Sequence, residues 1–281
     1  MRLPLDRRAG YLAEPVRSRS TGCGDASRSP MIAFISDIHS NTEALGAVLA
    51  KIEELGADRV LCLGDVIGYG PEPRATLLRV MEVCEFSLRG NHEDGCMNYA
   101  SDFNPKAKSA IDWTRAQLNR SDCPREENFG FWNYLDSMRE EHREGEILLV
   151  HGSPRDPIRE YIVPRDSQDR AKLDGCFARF GEARTCFVGH SHVPGVYPEG
   201  GGYLPPGEVP DGWDTSRDRA IVNIGSVGQP RDGDPRASFV TLDDGIVRFH
   251  RVEYDHAATS AKIRAVEELP DYLADRLTVG R

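Results

Sequence analysis

Ile32-Ala33-Phe34-Ile35-Ser36-Asp37-Ile38-His39 is the stretch on which the fold turns. Four apolar residues in a row read as a strand buried on both faces, and the polar residues after them fall where that strand runs out. The same figure recurs along the chain: Val60-Leu61-Cys62-Leu63 before Gly64-Asp65, Phe86-Ser87-Leu88 before Gly90-Asn91-His92-Glu93, Ile147-Leu148-Leu149-Val150 before His151-Gly152-Ser153, and Cys186-Phe187-Val188 before Gly189-His190-Ser191-His192. Strand ends of one sheet converge at one edge, so polar groups distant in sequence can meet there.

Helices fill the intervals. After the strand at 32–36, Asn41 and Thr42 start a helix with Ala44, Leu45, Val48, Leu49, Ile52 and Leu55 on one face, and Gly56 stands where it stops. A strand at 59–63 leads to a helix opening at Pro71, and a strand at 85–88 follows. Asn104-Pro105 begins a helix to about Leu118, and Phe131, Trp132, Tyr134 and Leu135 mark another. A strand at 146–150, a helix at 168–180 and a strand at 185–188 continue the alternation. The stretches 219–224, 237–242 and 246–253 then read as strands, with Asp243-Asp244-Gly245 as a hairpin turn. Residues 198–217 read as a Gly- and Pro-rich loop, and a helix is expected at about 256–277. This order predicts two sheets packed face to face with helices outside, as one domain over 31–281.

Residues 1–30 hold six Arg and three acidic residues without an apolar period, so they read as a disordered extension, with an organellar transit peptide as the alternative. Met31 is a candidate start of translation. No apolar run approaches the ~20 residues a bilayer span needs. With no secretory pattern and seven cysteines but no C-x-x-C pair, free thiols in the cytoplasm are expected. A net charge of −10 argues against a general nucleic-acid binder.

Three oxygen donors (Asp37, Asp65, Asn91) and at least four imidazoles at one edge suit a pair of metal ions, a centre that commonly hydrolyses phosphate esters. Taken singly each motif is weak. Asp37 and His39 could be a helix cap and a surface histidine, Asp65 and Asn91 turn residues, and His92 a structural histidine. Five such elements in order, each after a strand, are hard to reach by chance. His142, His250 and His256 have no comparable setting.

With these residues in view, the set D-x-H, G-D, G-N-H-E, H-G and G-H-S-H resembles the calcineurin-like metallophosphoesterase superfamily over residues 31 to about 254. Asn223-Ile224-Gly225-Ser226-Val227-Gly228-Gln229-Pro230-Arg231 and His151-Gly152-Ser153-Pro154-Arg155 resemble its small bacterial and archaeal phosphodiesterase-like branch. The resemblance implies an α/β, four-layer αββα sandwich of two mixed sheets with flanking helices. It implies that Asp37, His39 and His192 bind one metal, that Asp65 bridges, that Asn91, His151 and His190 bind the other, and that His92 sits beside the scissile phosphate. The mixed oxygen and nitrogen set without thiolate suits manganese foremost, with Fe, Ni, Co or Zn as alternatives. The expected function is hydrolysis of a small phosphorylated substrate, a phosphodiester or phosphomonoester, by a hydroxide between the two ions. His92 assists the leaving group, and Arg155 or Arg231 is available for the phosphate. A catalytically weak binding or scaffold module on the same fold is the alternative. Where Ser/Thr protein phosphatases carry G-D-x-x-D-R-G, this chain has Gly64-Asp65-Val66-Ile67-Gly68-Tyr69-Gly70, which weakens the transfer of a protein-phosphatase substrate preference and leaves the metal site untouched.

Overall fold

β1 (Ile32–Ile35) is buried along its whole length, as an uninterrupted apolar strand must be when both its faces are covered. The computed structural model describes residues 29–98, 100 and 103–281, so the extension expected over 1–30 lies, but for its last two residues, outside the described residues. With strands numbered along the chain, the sheet around β1 also takes β2 (Arg59–Cys62), β3 (Phe86–Ser87), β8 (Trp213–Asp214), β10 (Ala237–Asp243) and β11 (Ile246–Val252), in the order β3-β2-β1-β10-β11-β8. The second sheet takes β4 (Glu141–Glu144), β5 (Ile147–Val150), β6 (Thr185–Val188), β7 (Gly195–Pro198) and β9 (Ala220–Asn223), in the order β4-β5-β6-β9-β7. Both are mixed: β1, β2 and β3 run parallel, as do β5, β6 and β9, and the remaining pairs are antiparallel.

Side chains alternate across β1 and decide the layering. Phe34 points between the sheets, where its ring stacks on Phe187 of β6 at 4.2 Å amid Leu61, Leu149, Val222 and Val240. Ala33 and Ile35 point outward, against Leu45, Val48 and Ile52 of helix α1 (Thr42–Leu55). α2 (Pro73–Val83), α3 (Asn91–Met97), α4 (Pro105–Leu118) and α5 (Arg125–Ser137) follow α1 in the chain. On the far side Leu148, Val150 and Val188 pack against Leu173, Cys176 and Phe177 of α6 (Arg170–Phe177). The order is helix, sheet, sheet, helix, the four-layer sandwich expected. Each large apolar side chain so buried contributes about 1.5–3 kcal/mol.

α1 opens with Asn41 accepting the Ala44 N–H at 3.0 Å and closes on Gly56 in the left-handed conformation, φ 72°. The β10–β11 hairpin turns on Asp244 and Gly245, both at positive φ. Several expectations need correction. The second helix starts at Pro73 rather than Pro71, because Glu72 still donates its N–H to Ser40 O and Pro73 takes the first helical position. The helix expected at 168–180 is a 3₁₀ turn, Pro164–Gln168, followed by α6, which Asp169 caps at Lys172 N–H. Inside the expected loop 198–217, Trp213–Asp214 pairs with β11. β4 was hidden in a charged run because it is an edge strand whose side chains face largely outward. The C-terminal helix breaks into α7 (His256–Arg264), α8 (Tyr272–Asp275) and a last 3₁₀ turn, Arg276–Thr278, with Pro270 in the turn between α7 and α8. Among the described residues no helix is long and apolar enough to cross a membrane, and the six described cysteines are free.

The segment after β9 passes close beneath the end of β1. Gly228 donates its N–H to Asp37 O and accepts from Asn41 Nδ2, both at 2.9 Å, and a Cβ there would lie 1.7 Å from Ile38 O. Gly228→Ala is therefore expected to lower stability by about 1–3 kcal/mol in a urea titration. An unchanged midpoint would mean that the contact gives way at no cost.

Candidate metal centre

Asp37 and His39 follow β1, Asp65 follows β2, His151 follows β5, and His190 and His192 follow β6. The two sheets present these ends at one edge, and all six side chains are buried there. Asn91 opens α3 rather than lying in a turn, and it is buried with them.

The backbone bends sharply to aim these groups. Asp37 (φ 54°), His39 (48°), Asp65 (51°), His190 (62°) and His192 (61°) are all left-handed, as are Ser40 and Tyr69 beside them. Among the described residues only Asp244 adds to this set of non-glycine positive φ values. Each such residue costs on the order of 1 kcal/mol. Hydrogen bonds from Asp37 N–H to Gly64 O, His39 N–H to Asp65 O and Ser40 N–H to Val66 O hold the bend. Two motif glycines make room for the carboxylates. A Cβ on Gly90 would lie 2.1 Å from Asp65 Oδ1, and one on Gly189 would lie 2.4 Å from Asp37 Oδ2.

Donor atoms of Asp37, His39, Asp65 and His192 lie within 4.8 Å of one another, as do those of Asp65, His151 and His190, so Asp65 belongs to both groups. His39 Nδ1 faces Ile67 O at 3.2 Å, His151 Nδ1 faces Leu63 O at 2.9 Å, and His192 Nδ1 faces Gln229 O at 2.5 Å. A carbonyl only accepts, so each Nδ1 carries the proton and each Nε2 turns inward. There Nε2 of His39 meets Nε2 of His192 at 3.1 Å, and Nε2 of His192 meets Asp37 Oδ1 at 3.1 Å. His151 Nε2 meets Asn91 Oδ1 at 3.2 Å and Asp65 Oδ2 at 3.4 Å. His190 turns Nε2 to Arg159 O at 3.0 Å, leaving Nδ1 as its free ring nitrogen. Acceptors crowd the centre and donors face away from it, the arrangement that divalent cations satisfy.

The titrations agree. Burial pushes Asp37 up, but adjacent His192 outweighs it and holds the carboxyl well below its usual range. Asp65 is likewise held far down, chiefly by His151 against its burial. Burial lowers His39 and His190 (to about 3), so both are neutral, and it lowers His192 as well, against the pull of Asp37. His151 is the exception: burial opposes its charge, yet Asp65 and Asp37 lift it to about 9.

His92 is buried beside the cluster. Its ring lies 4.7 Å from that of His39 and 4.3 Å from that of Tyr69, and its main-chain N–H donates to Asp65 Oδ1 at 2.9 Å. Its Nδ1 has no hydrogen-bond partner, and burial lowers the ring to about 4, so it is neutral. A cavity of about 200 Å³ adjoins it, lined by Tyr69, Asn91, Phe103, Ala107, Tyr161 and His190 among others, with Tyr161 stacked on His190 at 3.7 Å.

Of the two arginines, Arg231 reaches this neighbourhood. Its guanidinium lies 5.9 Å from the Tyr69 ring centre, and its main-chain N–H donates to His192 O. Arg155 does not join the cluster. Its loop is tied by Ser153 Oγ, and its Nε donates to Glu160 Oε2 at 3.0 Å, so its charge is already matched. Two residues escaped the sequence reading. Glu93 accepts the N–H groups of Asp65, Ile67 and Gly90 and so fixes the loop that carries Asp65; its place three residues after Gly90 is a capping-box signal. Gln229, which orients His192, had no such signal.

Comparison with known proteins places this geometry. The calcineurin-like phosphoesterase superfamily domain matches residues 31–245. An uncharacterised protein of Methanocaldococcus jannaschii is 37% identical over 258 residues, 89% of this chain and 98% of that one. The crystal structure of a metallophosphoesterase from Sphaerobacter thermophilus is similar at 38% identity with a TM-score of 0.74, over 90% of this chain and 99% of that one. A hypothetical protein of Pyrococcus horikoshii shares the fold at 22% identity, with a TM-score of 0.70 over 89% of this chain and 98% of that one. The chain belongs to the calcineurin-like phosphoesterase superfamily and is a metal-dependent phosphoesterase.

Proposed function

We propose that the protein hydrolyses a phosphate ester of a small molecule at two divalent cations, manganese foremost, in the cytoplasm. Asp37, His39, Asp65 and His192 hold one cation; Asp65, Asn91, His151 and His190 hold the other. The observation that carries this reading is the inward-facing shell of acceptors around Asp65, with His39 and His192 Nε2 3.1 Å apart. A scaffold module has no use for such a shell, whose strain and buried charge oppose folding. The ions, when bound, supply Lewis-acid polarisation and a water of lowered pKa.

The chain's own residues do the rest. Carbonyls of Ile67, Leu63 and Gln229 keep three imidazoles in the ligating tautomer. Glu93 and the hydrogen bond from the His92 main-chain N–H to Asp65 hold the backbone of His92 against the bridging carboxylate. His92, neutral at working pH, donates an N–H to the leaving oxygen and stabilises the charge that develops there. The cavity beside the cluster takes the organic part of the substrate.

His92→Ala is expected to keep both metals by elemental analysis and to lose about 10²–10⁴ in turnover of phenyl phosphate esters. The loss should shrink for p-nitrophenyl esters, whose leaving group needs less help. Equal losses on both would remove His92 from that role. Because His151 is protonated below about pH 9 without metal and must be neutral to ligate, saturation with Mn²⁺ at pH 7.5 should release about one proton. Calorimetry in buffers of different ionisation enthalpy reads this directly, and zero release would contradict the assignment. Asp65→Asn should bind less than one metal per chain, since both groups lose their shared anion; two tightly held ions would refute the bridge.

A further inference from the structure

His190 is held differently from the other imidazoles of the cluster. His39, His151 and His192 turn Nδ1 to the main-chain oxygens of Ile67, Leu63 and Gln229. His190 turns its other nitrogen, Nε2, to Arg159 O at 3.0 Å. Arg159 lies in the loop 151–163, between β5 and the 3₁₀ turn Pro164–Gln168, and from the same loop Tyr161 stacks on the His190 ring. The nitrogen that His190 presents to the cluster therefore depends on where this loop lies.

The loop is stiff within itself. Gly152 N–H donates to Pro157 O at 2.6 Å, Ser153 N–H donates to Asp156 O at 2.9 Å, and Asp156 Oδ1 accepts the N–H groups of Ile158 and Arg159 at 3.2 and 3.0 Å. The chain turns back so closely that a Cβ on Gly152 would lie 2.7 Å from Asp156 O and 3.1 Å from Arg159 N. On the side of α6, Lys172 Nζ donates to Tyr161 O at 2.7 Å. What remains to be fixed is the position of the loop relative to the opposite sheet, and Arg159 supplies that tie. Its guanidinium pairs with Asp94 of α3. Exposed ion pairs contribute little, but Asp94 is buried, and Asn98 Nδ2 donates to its other oxygen at 2.9 Å, so the carboxylate offers one orientation. Asp94 follows Asn91 by three residues on α3. Arg159 thus joins, by its carbonyl and its guanidinium, His190 of one sheet's edge to the helix that carries Asn91 at the other's. Asn91, Arg159, Tyr161 and His190 all line the cavity beside the cluster, so the tie also forms part of its wall.

We propose that Arg159 is a positioning residue for the cation of Asp65, Asn91, His151 and His190. Its pair with Asp94 sets the separation of Asn91 and His190, and its carbonyl selects the tautomer of His190. This rests on the two-cation reading above. Groups outside the first coordination sphere that orient a ligating imidazole support affinity for the metal. The two halves of the centre are then supported unequally. His39 and His192 take their orientation from Ile67 and Gln229, outside this loop, whereas His190 and Asn91 are held to each other through Arg159. Loosening the tie releases one cation and spares the other.

The test titrates the full chain with Mn²⁺ by calorimetry and reads the histidine ring nitrogens of the metal-free chain by ¹⁵N NMR. Arg159→Gln and Asp94→Asn should each weaken one of the two ions by about 10- to 100-fold and leave the other ion and the Tm of the metal-free chain unchanged. The double variant should lose no more than either single one, because both remove the same tie. Arg159→Lys, which keeps the charge without the planar fork, should recover part of the loss. In the metal-free wild type His190 should carry its proton on Nε2, and in Arg159→Gln it should become a mixture of tautomers while His39 stays protonated on Nδ1. Equal weakening of both ions, unaltered binding of both, or additive losses in the double variant would overturn the proposal. If Arg159→Gln does not fold, Asp94→Asn decides on the same readings, since it leaves residue 159 in place. If the wild type binds no second ion, the two-cation reading fails, while the His190 ring still judges the tie: a mixture in Arg159→Gln supports it and a single unchanged tautomer refutes it.

Discussion

Two fully buried carboxylates sharing one wall of imidazoles is the arrangement the rest of the molecule has to accommodate. Asp37 and Asp65 are 0% and 1% exposed, and no Lys or Arg pairs with either among the described residues. Ionised groups are rarely left this way unless a cation is meant to join them. The sheets and helices bring the groups close. The left-handed residues at the strand ends then turn them inward. Strain and desolvation both oppose folding here, and they are outweighed by the doubly covered strands immediately behind, among them β1, β5 and β6, whose side chains are almost wholly buried.

That outlook explains which supporting residues carry the site. Glu93 gathers three N–H groups from the loops after β2 and β3, and burial beside Asp65 pushes its carboxyl up to about 7. Gln229 works from the other sheet, with its backbone on His192 and its side chain on two arginines. Asn223 binds Gly189 O and Ser191 Oγ, setting the loop that presents His190 and His192. Each couples one strand end to the next, so the metal groups are held relative to one another and not merely to their own strands.

Much of this was legible in the sequence because its signals are local. An apolar run followed by a polar turn residue names a strand end, and Asn41, Gly56 and Asp244-Gly245 mark a cap, a stop and a hairpin by their own chemistry. The parallel order of β1, β2 and β3 follows from the helices between them. What escaped depends on contacts made at a distance. Glu141–Glu144 is a strand only because β5 offers it an edge, and Trp213–Asp214 only because β11 does. Tyr161 gives no sign of stacking on His190 until the loop after β5 has folded over the cluster. Arg155 and Arg231 looked alike in sequence, both in loops beside Pro; Glu160 pairs with one, whereas the other donates to the neutral Gln229 and has no carboxylate side-chain partner among the described residues.

The instructive miss is the C-terminal helix. A continuous helix over 256–277 would be roughly 33 Å long and would carry its last residues away from the strand ends. Instead the chain breaks before Pro270, and the short α8 folds back so that Ala274 O accepts from Ser260 Oγ at 3.0 Å. Leu273 and Leu277 then pack with Ile263 of α7 and with Ala110 and Trp113 of α4. This docking sets Arg276 against Gln229. The break between α7 and α8 is thus what returns the end of the chain to Gln229. It also places a cation there from outside the region, 31–245, that the superfamily domain covers.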